Sequence, residues 1–395
     1  MTIEKIIKYD LCVGCGLCSS VLGHDHCVMS LSKEGFYKPE LKAGTDDKLI
    51  KKLCPGICVR DQKKNKNIWG DVRCVHESWS SDPHIRFKAA SGGVVTGVAL
   101  FVLENNIADA ILQVGAVEGD YIKNEMKISR TRDDVINNAQ SRYAPAMTLY
   151  NLKQILEGST EKYAIIGKPC DIAGVKNFVI ENPCYSNRFV LYISIFCAGM
   201  PSYNATDKVW KLSGKDKNPK SIQYRGNGWP GNFVALWDDN SRFELSYNES
   251  WGKILGRNLG YRCKICPDGI GSLADLAVGD SWNTRNGYPD FSEQEGKCFV
   301  FVRTKQGQKI FNQAVLSNYI TSKEIPVEII RDMQPYQYER RALAGWRILP
   351  IQLATFFFLN FKGLGLAKIA LKANTIKGIK NLIGSTKRLL VSKSR

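Results

Sequence analysis

Long apolar runs alternate with short polar punctuation along this chain, and several runs have the length and period of a definite element. "KYAIIGKPCDIAGVKNF" reads as a buried strand, a Gly-Lys-Pro turn and a helix, with Cys170 at the turn. "RFVLYISIFCAGMPS" reads as another buried strand, ending at Cys197. "FKAASGGVVTGVALFVLENNIADAILQVGAV" places Ser91, Gly92 and Gly93 before an apolar helix, then a strand from Ala110 to Val117. Buried strands separated by helical segments predict a parallel sheet whose carboxyl ends gather along one edge. Nearer the start, "DHCVMSLSKEGFYKPEL" alternates as two short strands around a turn. At the far end, "ILPIQLATFFFLNF" is an uncharged run of fourteen residues, too short for an ordinary membrane span. Beyond it, Ile376, Ile379, Ile383 and Leu390 recur at helical spacing, with Lys377, Lys380, Lys387 and Arg388 beside the stripe.

With 395 residues, 44% of them hydrophobic and 24% charged, the chain is globular and long enough for two or three domains. The net charge of +17 is unevenly placed. Residues 340–395 hold twelve Lys or Arg and no Asp or Glu, which leaves +5 for the other 339 residues. A nearly balanced body with a cationic tail is not the uniform basicity of a nucleic-acid binder, and no helix-turn-helix or RNP-type motif is present. The tail reads either as a basic amphipathic helix on an anionic membrane surface or as a helix docked on its own body. "MTIEKIIKYD" has no apolar h-region, so no signal peptide is expected there and the cytoplasm, with contact at the inner membrane face, is the expected location.

Thirteen cysteines change the picture most. An odd count, with three in a tight run, argues for reduced thiolates that hold metal rather than for a disulfide framework. "DLCVGCGLC" sets Cys12, Cys15 and Cys18 at the spacing of a ferredoxin cluster, and Cys54 of "KKLCPGICVR" supplies the Cys-Pro that closes such a set. The ligands of a second ferredoxin cluster are missing: Leu22 stands in the first half, and Gly44, Asp47 and Ile50 in the second. One [4Fe–4S] cluster is therefore expected here. Zinc on the same thiols is the alternative, and Cys27 and Cys58 compete with Cys54 for the fourth place. Cys170, Cys197 and the C-x2-C pair Cys263 and Cys266 can meet as a second four-thiolate site, although strand-end cysteines can equally be plain core. Cys74, Cys184 and Cys298 have no partner spacing and are expected in core or loop.

Eight segments in order carry a family resemblance: "CVGCGLC", "CPG", "ASGGVVTG", "SRYAP", "GKPCDIAG", "FCAGMPS", "YRGNGWPGNF" and "CKICPDGIGSLADLAVGDSW". Over roughly residues 8–300 the chain resembles the coenzyme F420 hydrogenase/dehydrogenase beta-subunit family, which includes the 7-hydroxymethyl chlorophyll reductases. The resemblance implies an iron–sulfur flavoprotein oxidoreductase with FAD and [4Fe–4S] clusters. It implies flavin contacts at Ser91, Gly92, Gly93, Ser141 and Tyr143, and a second cluster on Cys170, Cys197, Cys263 and Cys266. Arg225 and Trp229 fall in the segment near the family's active face, and Asp280 in its "GD-W" motif, where it either caps a turn or acts in catalysis. No residue is assigned a catalytic step.

The expected fold is α+β and α/β: a ferredoxin-like domain over residues 1–65, a mixed α/β flavin and second-cluster domain over 66–335, and a basic helical tail over 336–395. The leading functional expectation is a reductase of a small or lipid-linked metabolite, on the likeness to accessory proteins of surface-polysaccharide synthesis. The second is an electron-input subunit that oxidises reduced coenzyme F420 or NAD(P)H for a partner complex, with ferredoxin as a further donor. The third is a scaffold that keeps its clusters only for structure.

Overall fold

The computed structural model describes residues 1–61, 67–285 and 287–393. At its centre is an eight-stranded mixed sheet. From one edge to the other its strands are Ile320–Glu324, Cys74–Ser80, Cys298–Val302, Leu276–Asp280, Phe189–Ile195, Tyr163–Gly167, Ala110–Val117 and Asp120–Ser129. The four strands Leu276–Asp280, Phe189–Ile195, Tyr163–Gly167 and Ala110–Val117 are mutually parallel, and every other pairing in this sheet is antiparallel. The expected parallel sheet is thus the middle of a mixed one. The antiparallel flanks come from strands that the apolar runs did not reveal.

Both faces of the sheet are covered, because successive side chains of a strand point to opposite sides. Ile111, Val300 and Val302 pack with Val98, Val102, Ile310 and Phe311 on one side. On the other, Ala110, Leu112 and Ile165 pack with Ile172, Val175 and Phe178 of the helix Pro169–Glu181. Phe299 and Phe301 join Trp69 and Ile330 in a smaller cluster. A separate three-stranded sheet, Arg242–Leu245, Phe233–Leu236 and Ser221–Gln223, packs with the helix Tyr203–Trp210.

The N-terminal lobe has the expected hairpin, Cys27–Leu31 against Tyr37–Leu41 in antiparallel register. The helices Leu17–Leu22 and Ile50–Leu53 lie beside it, and Cys54 caps the second of them. Three tail helices, Ala344–Ala354, Leu366–Leu371 and Thr375–Lys393, close the chain. One apolar cluster runs through all three expected segments, joining Ile3 and Leu53 to Phe178, Tyr261, Ile348 and Leu389. Among the described residues no helix is long and apolar enough to cross a membrane.

Candidate functional site

Parallel strands deliver their carboxyl ends to one edge, and the chemistry gathers there. Lys168 follows Tyr163–Gly167, Cys197 follows Phe189–Ile195, and Asp280 ends Leu276–Asp280. All three line a cavity of about 260 Å³, together with Ser91, Ser141 and Tyr143.

Asp280 is the hub of this cavity. Its Oδ1 accepts hydrogen bonds from Ser91 Oγ at 2.6 Å, Arg225 Nη2 at 2.7 Å and Trp229 Nε1 at 2.9 Å, while Oδ2 takes Arg225 Nη1 at 2.8 Å. Arg225 is buried, which opposes its charge, but Asp280 outweighs that cost and raises its pKa. Its guanidinium also lies over the rings of Tyr247 and Trp282, and Trp282 stacks on Trp229 at 4.5 Å. A carboxylate with this many donors is not a free base; it positions the serine and the arginine. Tyr247 is held neutral, its pKa pushed well up by burial.

Lys168 occupies the opposite wall. Its Nζ reaches Asp171 Oδ2 at 2.6 Å, and Asp171 also accepts from Thr148 Oγ1 at 2.7 Å. Burial disfavours the ammonium, but Asp171 and then the Cys170 and Cys197 thiols raise its pKa above the ordinary lysine value. A fixed positive charge therefore sits in the cavity wall near the Cys170 and Cys197 thiols.

Those thiols belong to the second expected set, which the fold does bring together. The Cys197 pKa is pushed up to about 12 by burial and then by Cys263, with Cys266 also contributing, and Cys170 is raised by burial with Cys197 and Cys266 among its neighbours. Arg340 backs this group by donating to the carbonyls of Cys197 at 3.2 Å and of Cys263. The first set, Cys12, Cys15, Cys18 and Cys54, lines a small apolar cavity with Ile3, Ile6 and Leu53. Burial and then Cys12 push the Cys54 thiol up to about 12. Of its two rivals, Cys27 lies against the Cys18 thiol outside that cavity lining, and Cys58 sits by Arg60 and Glu181.

Arg262 joins the two sets. It precedes Cys263 in the chain, and its guanidinium donates to the carbonyls of Gly56 at 2.6 Å and Pro55 at 2.9 Å, in the turn after Cys54. Among the described residues no three His, Cys, Asp or Glu side chains close around a single-ion position. Half-buried thiols with Lys168, Arg262 and Arg340 near them have the soft donor atoms and compensating charge that a thiolate-held group needs.

Of the flavin residues implied by the resemblance, Ser91, Gly93, Ser141 and Tyr143 line the main cavity, whereas Gly92 lies outside its lining. Gly92 and Gly93 both have positive φ, and a Cβ on Gly92 would stand 2.7 Å from the Gly296 carbonyl oxygen. That close approach to a neighbouring loop accounts for Gly92 without a ligand. Cys298 is core, Cys74 begins an inner strand and Cys184 is exposed, as their isolated spacing implies. Sequence reading passed over Lys168, Tyr247, Trp282 and Arg340. Lys168 was legible inside "GKPCDIAG", but Arg340 looked like one more charge of the basic tail.

A second space, a cleft of about 1210 Å³, is lined by Tyr247, Trp251 and Trp282 together with Arg257, Arg331, Lys372, Lys377, Asp332 and Glu339, and Glu339 is paired to Lys377. The three aromatic residues line both spaces.

Residues 75–153 match the N-terminal family model of the coenzyme F420 hydrogenase/dehydrogenase beta subunit, and residues 160–328 match the C-terminal one. The chain belongs to this family. Family membership covers the strands and loops that build the main cavity, while Cys12, Cys15, Cys18, Cys54 and the tail lie outside the matched residues. Among relatives, the coenzyme F420 hydrogenase subunit beta of Methanococcus voltae is 25% identical over 265 residues, 65% of this chain and 86% of that protein. The coenzyme F420-dependent sulfite reductase of Methanocaldococcus jannaschii is 23% identical over 86% of this chain, which spans 51% of that longer protein. A chain of the F420-reducing [NiFe] hydrogenase complex from Methanosarcina barkeri shares the fold, with a TM-score of 0.55 at 18% identity over 74% of this chain and 96% of that one. By name, the first of these relatives is a subunit of a coenzyme F420 oxidoreductase and the second is a coenzyme F420-dependent reductase.

Proposed function

We propose that this chain is an electron-transfer subunit of an oxidoreductase: it holds a flavin, FAD by family resemblance, in the main cavity and a [4Fe–4S] cluster on each thiol set. The observation that carries this reading is continuity. Cys197 lines the cavity and belongs to the second thiol set, and Arg262 ties that set to the turn bearing Cys54. A bound flavin takes two electrons as hydride and releases them singly to iron–sulfur centres.

The residues around these spaces have definite tasks. Ser91, Gly93, Ser141 and Tyr143 contact the flavin, and Asp280 fixes Ser91 and Arg225 before any ligand arrives. Lys168 and Arg340 offset the negative charge of thiolates in the second set, and Arg262 does so between the sets. Tyr247, Trp251 and Trp282 form an aromatic wall that separates the cavity from the cleft and excludes water. The cleft's arginines and lysines suit an anionic hydride carrier, such as reduced coenzyme F420 or NAD(P)H. The names of the relatives favour an electron-input subunit for a partner complex over a self-contained reductase of a polysaccharide intermediate.

Anaerobic purification with iron, sulfide and flavin determination tests the reading. About eight irons and one flavin per chain are expected, falling to about four irons in Cys12→Ser and in Cys263→Ser alike. Reduced coenzyme F420 or NADPH should then bleach the flavin absorbance. Zinc without flavin would overturn the proposal.

A further inference from the structure

The helix Thr375–Lys393 docks on the body by the side that bears Gly378, Ser385 and Leu389. Gly378 packs against the Trp346 ring, Asn381 accepts from Arg347 Nε at 2.7 Å, and Ser385 Oγ donates to the Arg347 carbonyl at 2.6 Å. Its stripe of Ile376, Ile379, Ile383 and Leu390 is left outward, 48–67% exposed. At the roughly 100° step of an α-helix, Lys380 and Lys387 run along one edge of that stripe. An amphipathic helix normally turns such a stripe inward. Here the fold turns it to solvent.

The tail carries a second exposed apolar group. The contacts with Trp346 and Arg347 advance in the same sense along both helices, so Ala344–Ala354 and Thr375–Lys393 run side by side. Leu353, Phe356 and Phe357 are 57%, 93% and 64% exposed. Scattered single hydrophobics need no explanation, but an exposed stripe of four along one helix, with exposed phenylalanines in the same tail, marks an interaction surface.

We infer that this face docks on an anionic lipid bilayer surface. Charge complementarity selects that occupant: residues 340–395 carry twelve Lys or Arg and not one Asp or Glu. A surface of one sign with protruding isoleucines and phenylalanines matches the interfacial mode, in which the apolar side enters the acyl boundary and cations meet the headgroups. Glu339, just before this stretch, is already paired to Lys377, so the cations of residues 340–395 outnumber the acids a protein partner could engage. Lys377 and Lys372 also line the aromatic cleft, so a docked tail sets the rim of that cleft beside the headgroups. The inference rests on the tail alone and holds whichever cofactors the body carries.

Flotation of the full chain with vesicles tests it, comparing phosphatidylcholine alone with phosphatidylcholine containing phosphatidylglycerol. Binding is expected only with the anionic lipid. The Ile379→Asp/Ile383→Asp variant should weaken it by about tenfold or more, because two inserting side chains become charged. Lys380→Gln and Lys387→Gln should each cost about fivefold. Phe356→Ser/Phe357→Ser provides a second reading from a separate element, with thermal unfolding of each variant as the folding control. Absence of binding to anionic vesicles, or wild-type binding by folded Asp and Ser variants, overturns the inference. So does a wild-type dimer in light scattering that the Asp variant splits, since a second copy would then cover this face.

Discussion

At the scale of single residues, Asp280 explains more of the site than any cysteine does. The sequence left it between a turn cap and a catalytic acid, and its four donor contacts make it the anchor of Ser91, Arg225 and Trp229. Its partner Arg225 is only 2% exposed, so removing the carboxylate strands a buried charge. Asp280→Asn should therefore cost about 3 kcal/mol in chemical denaturation, the usual penalty for breaking a buried pair. Adding Arg225→Met should recover part of that loss, and flavin content should fall in both variants. A single variant as stable as the wild type would show that the pair is solvated. Asp280's role was not legible from spacing, because its partners Arg225 and Ser91 lie far away in the chain, whereas Lys168 has its partner Asp171 three residues on, inside a motif already singled out.

At the scale of elements, local pattern was a good guide wherever burial and periodicity agree. The hairpin at Cys27–Leu31 and Tyr37–Leu41, the strand Ala110–Val117 and the helix after Gly93 all stand where the apolar runs predict them. Of the two glycines before that helix, Gly92 has a packing reason besides the expected one. Gly92 has φ +68° and stands against the Gly296 backbone, so packing requires it. Gly92→Ala should lose more than the about 1–2 kcal/mol of a left-handed alanine, whereas Gly119→Ala should show the backbone cost alone, since Gly119 has φ +77° with nothing within 4 Å. Thermal unfolding of the two variants separates the effects. Equal losses would mean that the Gly296 loop simply yields. The antiparallel strands Ile320–Glu324 and Asp120–Ser129 were not foreseen, because their sequences, "ITSKE" and "DYIKNEMKIS", lack a continuous apolar run.

For the whole molecule, the tail is both part of the body and a surface of its own. Ile348, Ile351, Leu359, Leu364 and Leu389 enter the apolar cluster that holds Ile3, Leu53 and Tyr261. The Asn360 backbone exchanges hydrogen bonds with Ile57 and Val59, and the Lys362 carbonyl accepts from Asp61 N. At about 1.5–3 kcal/mol for each buried side chain, removing those five would consume most of the roughly 5–15 kcal/mol that stabilises a folded domain. A chain ending at Leu343 should thus aggregate or unfold well below the full protein, as size exclusion and thermal melting would report. A monomeric product with an unchanged midpoint would make the tail a mere appendage.

The sequence by itself determined the family, the candidate cysteines and their spacing, several of the central strands and the amphipathic period of the last helix. Each of these is written locally, in spacing, in runs and in motif order. Tertiary structure alone decided which cysteines face one another, that Cys54 rather than Cys27 lines the first cavity, and that Lys168, Arg262 and Arg340 stand beside the thiols. It also decided that the last helix docks by Gly378 and Ser385 and keeps its isoleucines outward. Such choices depend on which distant surfaces meet, and a periodic stripe records only that a helix has two sides, not which of them its own body will cover.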